Sequence, residues 1–298
     1  MMEMLEYGGF AVLRWCAGRL SFRGAGRLGK ALGSAVFLLT PFRKRVTLEN
    51  LRRAFPERTG KELRDLALEA YENFGITFLE MLWSGRQPAG ELMRVVELRN
   101  SRAVEARLRE GGGIIILSGH FGNWEFILQG VRLRLGVPVA TIVQRQRNGR
   151  VDAALDAIRT RFGNRTISMG VASREAVRIL KGGGVLCVLG DQSGPRESVF
   201  VDFFGRPAAT HRGVAAFALR IGVPLVMVYV ERHEDGTYEA LFEEVPLPAG
   251  TGEDAVTELT RTHAAMLERR IRMHPGQWLW MHKRWKHREP LPQRGDEA

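Results

Sequence analysis

The sequence predicts an α/β fold, a mostly parallel central sheet flanked by helices, with an amphipathic helical segment ahead of it. Three observations carry this. Beyond residue 113, short apolar runs alternate with stretches of helical period, the pattern of strands joined by helical crossovers. The run Gly113-Ile-Ile-Ile-Leu117 is apolar throughout, as expected of a strand covered on both faces. At 298 residues, 45% apolar and 26% charged, the chain has the length and composition for a substantial core.

The first element is basic and amphipathic, over residues 1–45. Residues 1–53 carry ten Arg or Lys against three Glu, most of the chain's net charge of +11. These bases interleave with Leu5, Phe10, Trp15, Leu20, Phe22 and Phe37, a mixture that suits an element lying in a lipid interface. Arg14, Arg19, Arg23 and Arg27 interrupt every apolar run before it reaches the ~18 residues of a membrane span, so no span is expected. Nor is a signal-peptide pattern present.

Residues 46–84 read as helices. Leu48, Leu51 and Phe55 form one stripe, and Leu63, Leu66, Ala67, Ala70, Tyr71 and Phe74 another. Strands are then expected at 114–117, 138–143, 185–189, 224–231 and 238–244. Helices are expected at 124–135, 152–162, 173–180, 212–220 and 254–273. The tail, 291–298, is expected to fray. Cys16 and Cys187 stand far apart in unrelated surroundings, so free thiols are expected. The seven histidines lack the paired spacings of zinc sites, and neither a metal nor a cofactor is expected.

The chemistry concentrates in Ser118-Gly-His-Phe-Gly-Asn-Trp-Glu125, where a strand gives way to a helix. His120 and Glu125 are what proton abstraction from an alcohol requires: a base titrating near neutrality and a group to hold its tautomer. In a regular helix, five residues advance roughly 500°, which leaves the two side chains about 140° apart. His120 must therefore stand at the strand end or in a turn, with Gly119 and Gly122 letting Glu125 reach back. Asn123 is the expected helix N-cap. A second polar cluster, Leu189-Gly-Asp-Gln-Ser-Gly-Pro-Arg196, also follows an apolar strand. Asp191, Gln192 and Arg196 are candidates to orient a polar headgroup or phosphate, and Phe200, Phe203 and Phe204 to wall an apolar chain. Both clusters fall at carboxyl ends of strands, where parallel sheets gather chemistry.

Two other motifs mislead. Gly24-Ala-Gly-Arg-Leu-Gly29 spells the dinucleotide fingerprint, but no strand precedes it. Gly190-Asp-Gln-Ser-Gly194 places its serine one position late for a nucleophile elbow.

Taken together, the motifs resemble the bacterial lipid A biosynthesis (lauroyl/myristoyl) acyltransferase family. His120-x4-Glu125 resembles the H-x4-D/E signature shared by glycerolipid and lipid A acyltransferases. The other matching blocks are Asn50-Leu-Arg-Arg-Ala-Phe-Pro-Glu57, Val143-Gln-Arg145, Asp191-Gln192 with Gly194, Phe203-Phe-Gly205 with Ala208-Ala-Thr210, and His274-Pro-Gly-Gln-Trp-Leu-Trp280 with Lys283-Arg-Trp285. They run in family order. The resemblance implies a glycerolipid acyltransferase-like domain over 46–290, on the cytoplasmic face of the inner membrane. It implies transfer of a fatty acyl group to a hydroxyl of a membrane glycolipid. The donor it implies is acyl carrier protein, with coenzyme A as the alternative. The acceptor expected is a lipid A precursor, with a phosphatidylinositol mannoside or an aminolipid as the alternative.

It further implies His120 as general base, Glu125 as its orienting partner, Arg145 as a group that stabilises headgroup or intermediate, and no acyl-enzyme. The positive surplus suits an acidic carrier and an anionic membrane surface. Nucleic acid is not an expected partner, because charge alone leaves the His–Glu placement unexplained. Family members commonly open with a hydrophobic helix, whereas this one is punctuated by arginines, so integral and peripheral attachment both stay open. The competing class is a hydrolase with Ser118 or Ser193 as nucleophile.

Overall fold

The core forms on both faces of one seven-stranded sheet. A computed structural model of the chain describes residues 2–195 and 198–287. Two helices come first, α1 (Met2–Ala17) and α2 (Phe22–Leu39), then α3 (Lys44–Ala54) and the long α4 (Gly60–Ser84). The start of α4 is set by a capping box: Thr59 Oγ1 accepts from Glu62 N, and Glu62 Oε2 accepts from Thr59 N at 2.7 Å.

The glycine motif at 24–29 lies inside α2, where its last glycine, with Gly33 one turn on, serves close packing on α4. A Cβ on Gly29 would press on the Gly75 carbonyl, and one on Gly33 on the Tyr71 carbonyl. Phe10, Ala17, Ala25 and Phe37 are buried, so α1 and α2 contribute to the core. Their outer faces nevertheless expose Met4, Leu5, Val12, Trp15, Leu38 and Leu39. Among the described residues no helix is long and apolar enough to cross a membrane.

The rest of the chain alternates. It runs through α5 (Ala89–Val95), β1 (Val96–Arg99), α6 (Arg102–Arg109), β2 (Ile114–Ser118), α7 (Phe126–Leu135), β3 (Val139–Val143), α8 (Gly149–Thr160), β4 (Arg165–Ser168), α9 (Ala172–Lys181) and β5 (Val185–Leu189). It continues through β6 (Val199–Asp202), β7 (Pro207–Thr210), α10 (Gly213–Ile221), β8 (Leu225–Arg232), β9 (Tyr238–Glu244) and α11 (Glu253–Met273). The sheet order is β1-β9-β8-β2-β5-β3-β4. Strands β8, β2, β5, β3 and β4 are mutually parallel, while β9 runs antiparallel to β8 and carries β1 parallel beside it.

All five strands expected from the pattern are present. The sheet also includes β1 and β4, each only four residues long, and β6 and β7 pair in a separate hairpin. Four-residue strands are too short for a periodic signal. On β2, Ile114 and Ile116 join one hydrophobic cluster and Ile115 and Leu117 the other, which is why its apolar run has no polar gaps. The tail at 291–298 lies outside the described residues.

Candidate active site

The central pair of strands builds the site. β2 and β5 are parallel neighbours with Ser118 opposite Leu189. Two residues beyond each strand stand His120 and Asp191, so the register itself brings them together at the carboxyl edge, across one strand spacing of about 4.8 Å. Asp191 Oδ1 lies 2.8 Å from His120 Nδ1, and its Oδ2 accepts from the His120 backbone N–H at 2.7 Å. The indole Nε1 of Trp278 donates to the same Oδ2 at 2.8 Å. Since Asp191 is an acceptor, Nδ1 carries the proton, and Nε2 becomes the basic nitrogen. Nε2 makes no hydrogen bond among the described residues. Trp124 flanks the imidazole edge-on at 5.1 Å and stacks on Phe74. Phe74, expected in the buried stripe of α4, is 37% exposed beside this aromatic pair.

The turn carrying His120 is clamped by the segment after α11. Gly122 N donates to Gln277 O at 2.8 Å, and Leu279 N to His120 O at 3.0 Å. Phe121 pairs with Trp278 as an isolated bridge. Gly122 has φ +56°, and a Cβ there would fall on the Val230 carbonyl oxygen. Gly122→Ala is therefore expected to cost about 1–3 kcal/mol from backbone strain alone. The clash adds to this, and a lowered urea midpoint should accompany lost activity. A variant as stable as the parent would show that the turn tolerates a side chain.

Electrostatically, burial opposes ionisation of Asp191. The charge of His120, the hydrogen bonds from its side chain and backbone, and that from Trp278 outweigh burial and hold the carboxyl down at about 2. Burial likewise disfavours the imidazolium of His120. The charge and hydrogen bond of Asp191, with the charge of Glu125, outweigh it and hold His120 above its ordinary 6.5.

The structure revises several expectations. Glu125 does not hydrogen-bond His120; it forms a two-pronged pair with Arg159 of α8, at 2.9 and 2.6 Å. Its position at the very start of α7 turns the side chain toward α8, and it reaches His120 only through its charge. Asp191 is not at a headgroup: 4% exposed, it is taken up by His120 and Trp278. Asn123 is not a helix cap, because its side-chain amide donates to Glu80 instead, at 2.9 Å.

Arg145 lies in the loop after β3, half exposed, bonded to Asp152 at 3.0 Å and 3.8 Å from Asp156. Gln192 is half-buried next to Asp191. Arg196 lies outside the described residues. Phe203 and Phe204 are buried among Phe55, Trp278, Trp280 and Trp285 and belong to the core, while Phe200 is half-buried.

Neither serine is set up as a nucleophile. Ser118 is buried and donates to Val228 O at 2.5 Å, and the imidazole of His282 accepts from the backbone N–H of Ser193 rather than its hydroxyl. The Cys187 thiol, pushed up to about 12 by burial, is inert at neutral pH. Arg159 was not singled out by the sequence, and Trp278 stood only inside the matching block His274–Trp280, with no role attached. Asp152, Asp156 and Arg159 at helical spacing were the available signal for the first; that the Trp278 indole would donate to Asp191 had no local signal.

This is an α/β enzyme architecture with its polar centre at the carboxyl edge of the sheet. The chain belongs to the bacterial lipid A biosynthesis acyltransferase family, whose model matches residues 3–287, and it is an O-acyltransferase. It is 28% identical over 297 residues to the lipid A biosynthesis lauroyltransferase of Escherichia coli (strain K12), an alignment covering 97% of this chain and 94% of that protein. It is 24% identical to the lipid A biosynthesis palmitoleoyltransferase of the same organism, over 88% of this chain and 84% of the relative. A phosphatidylinositol mannoside acyltransferase of Mycolicibacterium smegmatis is 23% identical, over 66% of this chain and 63% of its own length.

Proposed function

We propose that the chain transfers a fatty acyl group from acyl carrier protein to a hydroxyl of a lipid A precursor, with His120 as general base. The observation that supports this most is the imidazole tied through Nδ1 to Asp191, with Nε2 left for a substrate hydroxyl. The acceptor O–H donates to Nε2. Its oxygen attacks the thioester carbonyl, and the new C–O bond forms as the proton moves to His120. Collapse of the tetrahedral intermediate breaks the C–S bond, and the imidazolium returns the proton to the leaving thiolate. No acyl-enzyme forms. Asp191 holds the tautomer and balances the imidazolium; the charge of Glu125 also favours the charged ring, and that of its partner Arg159 opposes it. Arg145 and Gln192 are assigned to the acceptor headgroup.

The reaction belongs at the cytoplasmic face of the inner membrane, where the exposed apolar residues of α1 and α2 would enter the lipid interface with their arginines at the headgroups. α1 also touches the loop that carries Arg145: Asn148 Nδ2 donates to Glu3 O at 2.8 Å, and Arg147 pairs with Glu6 at 2.6 Å. On this reading the lipid-facing helix lies beside the loop that would bring Arg145 to the headgroup. The combined variant Leu5→Asp, Val12→Asp, Trp15→Asp, at positions 71%, 61% and 54% exposed, should fold normally yet no longer sediment with anionic phospholipid vesicles. Unchanged sedimentation would remove this face from membrane binding.

The functional test incubates purified protein with acyl carrier protein thioesters and a tetra-acylated lipid A precursor and reads product masses. A single acyl increment is expected. Acylation from coenzyme A alone would change the donor, and preference for a phosphatidylinositol mannoside would change the acceptor. No increment on any glycolipid, from folded protein, would overturn the reading.

A further inference from the structure

The buried middle of α4 carries three polar side chains, Asn73, Thr77 and Glu80, spaced so that they share one helix face. They are 7%, 1% and 2% exposed. Polar groups so deeply buried are costly unless paired, so their partners show what the stripe is for. All three converge on one turn. Asn73 Nδ2 donates to Gly122 O at 3.3 Å and to Gln277 O at 3.1 Å. Thr77 Oγ1 donates to Gly122 O at 2.9 Å. Glu80 Oε2 accepts from Asn123 Nδ2 at 2.9 Å. Gly122 and Asn123 lie between His120 and Glu125.

Glu80 is itself held. Tyr238 OH donates to Oε2 at 2.6 Å, and the Arg232 guanidinium stands 3.6 Å away. The guanidinium also donates to Tyr238 OH, and the Arg232 backbone is held by Gln277, whose Oε1 accepts from Arg232 N at 3.0 Å and whose Nε2 donates to Arg232 O at 3.2 Å.

We propose that this stripe is a cradle that positions the reactive turn, with Glu80, acting through Asn123, as its principal positioning residue. The inference rests on His120 being the base. Packing alone does not require these residues, since apolar side chains would fill the same space without a desolvation cost. What apolar side chains cannot do is hydrogen-bond the Gly122 carbonyl and the Asn123 side-chain amide, groups that the backbone bonds of this turn to Gln277 and Val230 do not engage. Misplacing reacting groups by about 1 Å costs on the order of 10²-fold in rate. Burial pushes the Glu80 carboxyl up to about 7, against the pull of Arg232 and the hydrogen bonds from Tyr238 and Asn123. Its work as an acceptor therefore does not depend on full charge, and glutamine should replace it.

The test measures kcat, KM and thermal midpoint for Glu80→Ala, Glu80→Gln, Asn123→Ala and the double variant Glu80→Ala/Asn123→Ala, with His120→Ala in parallel. Glu80→Ala is expected to lower kcat about 10²-fold with KM for donor and acceptor unchanged. Glu80→Gln should restore most of the turnover. The double variant should be no slower than the slower single one, because both break the same link. Wild-type turnover by folded Glu80→Ala, or losses that add in the double variant, would overturn the proposal. Should Glu80→Ala not fold, Thr77→Val carries the test: a kcat loss at unchanged KM supports the cradle, and no loss overturns it. Activity retained by His120→Ala would instead show that the base assignment underneath has failed.

Discussion

His120→Ala is expected to lower acyl transfer by about 10²–10⁴-fold, the range of a lost general base, with little effect on folding. The fold should survive because two backbone hydrogen bonds at this position remain when the imidazole is removed: His120 N to Asp191, and Leu279 N to His120 O. Asp191 would keep that backbone donor and the Trp278 indole, so removing the imidazole does not strand a buried carboxylate. The readout is the mass increment on the lipid acceptor, with circular dichroism as the check on folding. A variant within tenfold of the parent would remove His120 from proton transfer.

The second large effect is expected at Asp191. Its carboxylate accepts three hydrogen bonds and leaves no place for an amide donor. In Asp191→Asn, the new N–H₂ must face either Nδ1 of His120, which moves the ring proton to Nε2 and abolishes the base, or the two donors at Oδ2, which breaks the turn. Loss of about 10²–10⁴-fold in kcat is expected either way.

The pH profile distinguishes this from a packing defect. The protonated imidazole cannot accept a proton, so activity falls as pH drops through the pKa of His120. Asp191 favours the charged ring and holds that pKa above 6.5. The acid limb of kcat/KM should thus lie above 6.5 in the parent and move to lower pH when the carboxylate is removed. An acid limb that stays in place would mean that another group titrates.

Much of the fold was legible in the sequence. The unbroken apolar run of β2 required cover on both faces, and the alternation after residue 113 gave the parallel strands. Shorter elements were not: β1 and β4 have too few residues to show a period, and they persist because neighbouring strands supply their hydrogen bonds. The glycines of α2 spelled a nucleotide fingerprint, yet serve a close helix crossing whose partner, Gly75, lies 46 positions from Gly29.

The same division holds at the site. Local sequence determined that a histidine and a glutamate would stand at a glycine-hinged exit from a buried strand, and that an aspartate would stand at another. Glycine placement and strand burial are short-range properties, and both follow from neighbouring residues. Which acid meets the imidazole was decided only in three dimensions. Glu125, five positions away, turns to Arg159, whereas Asp191, 71 positions away, is delivered to Nδ1 by the register of β2 on β5. Parallel strands exchange partners across long crossovers, so their pairing is set by how helices and sheet pack as a whole, and sequence separation carries no record of it.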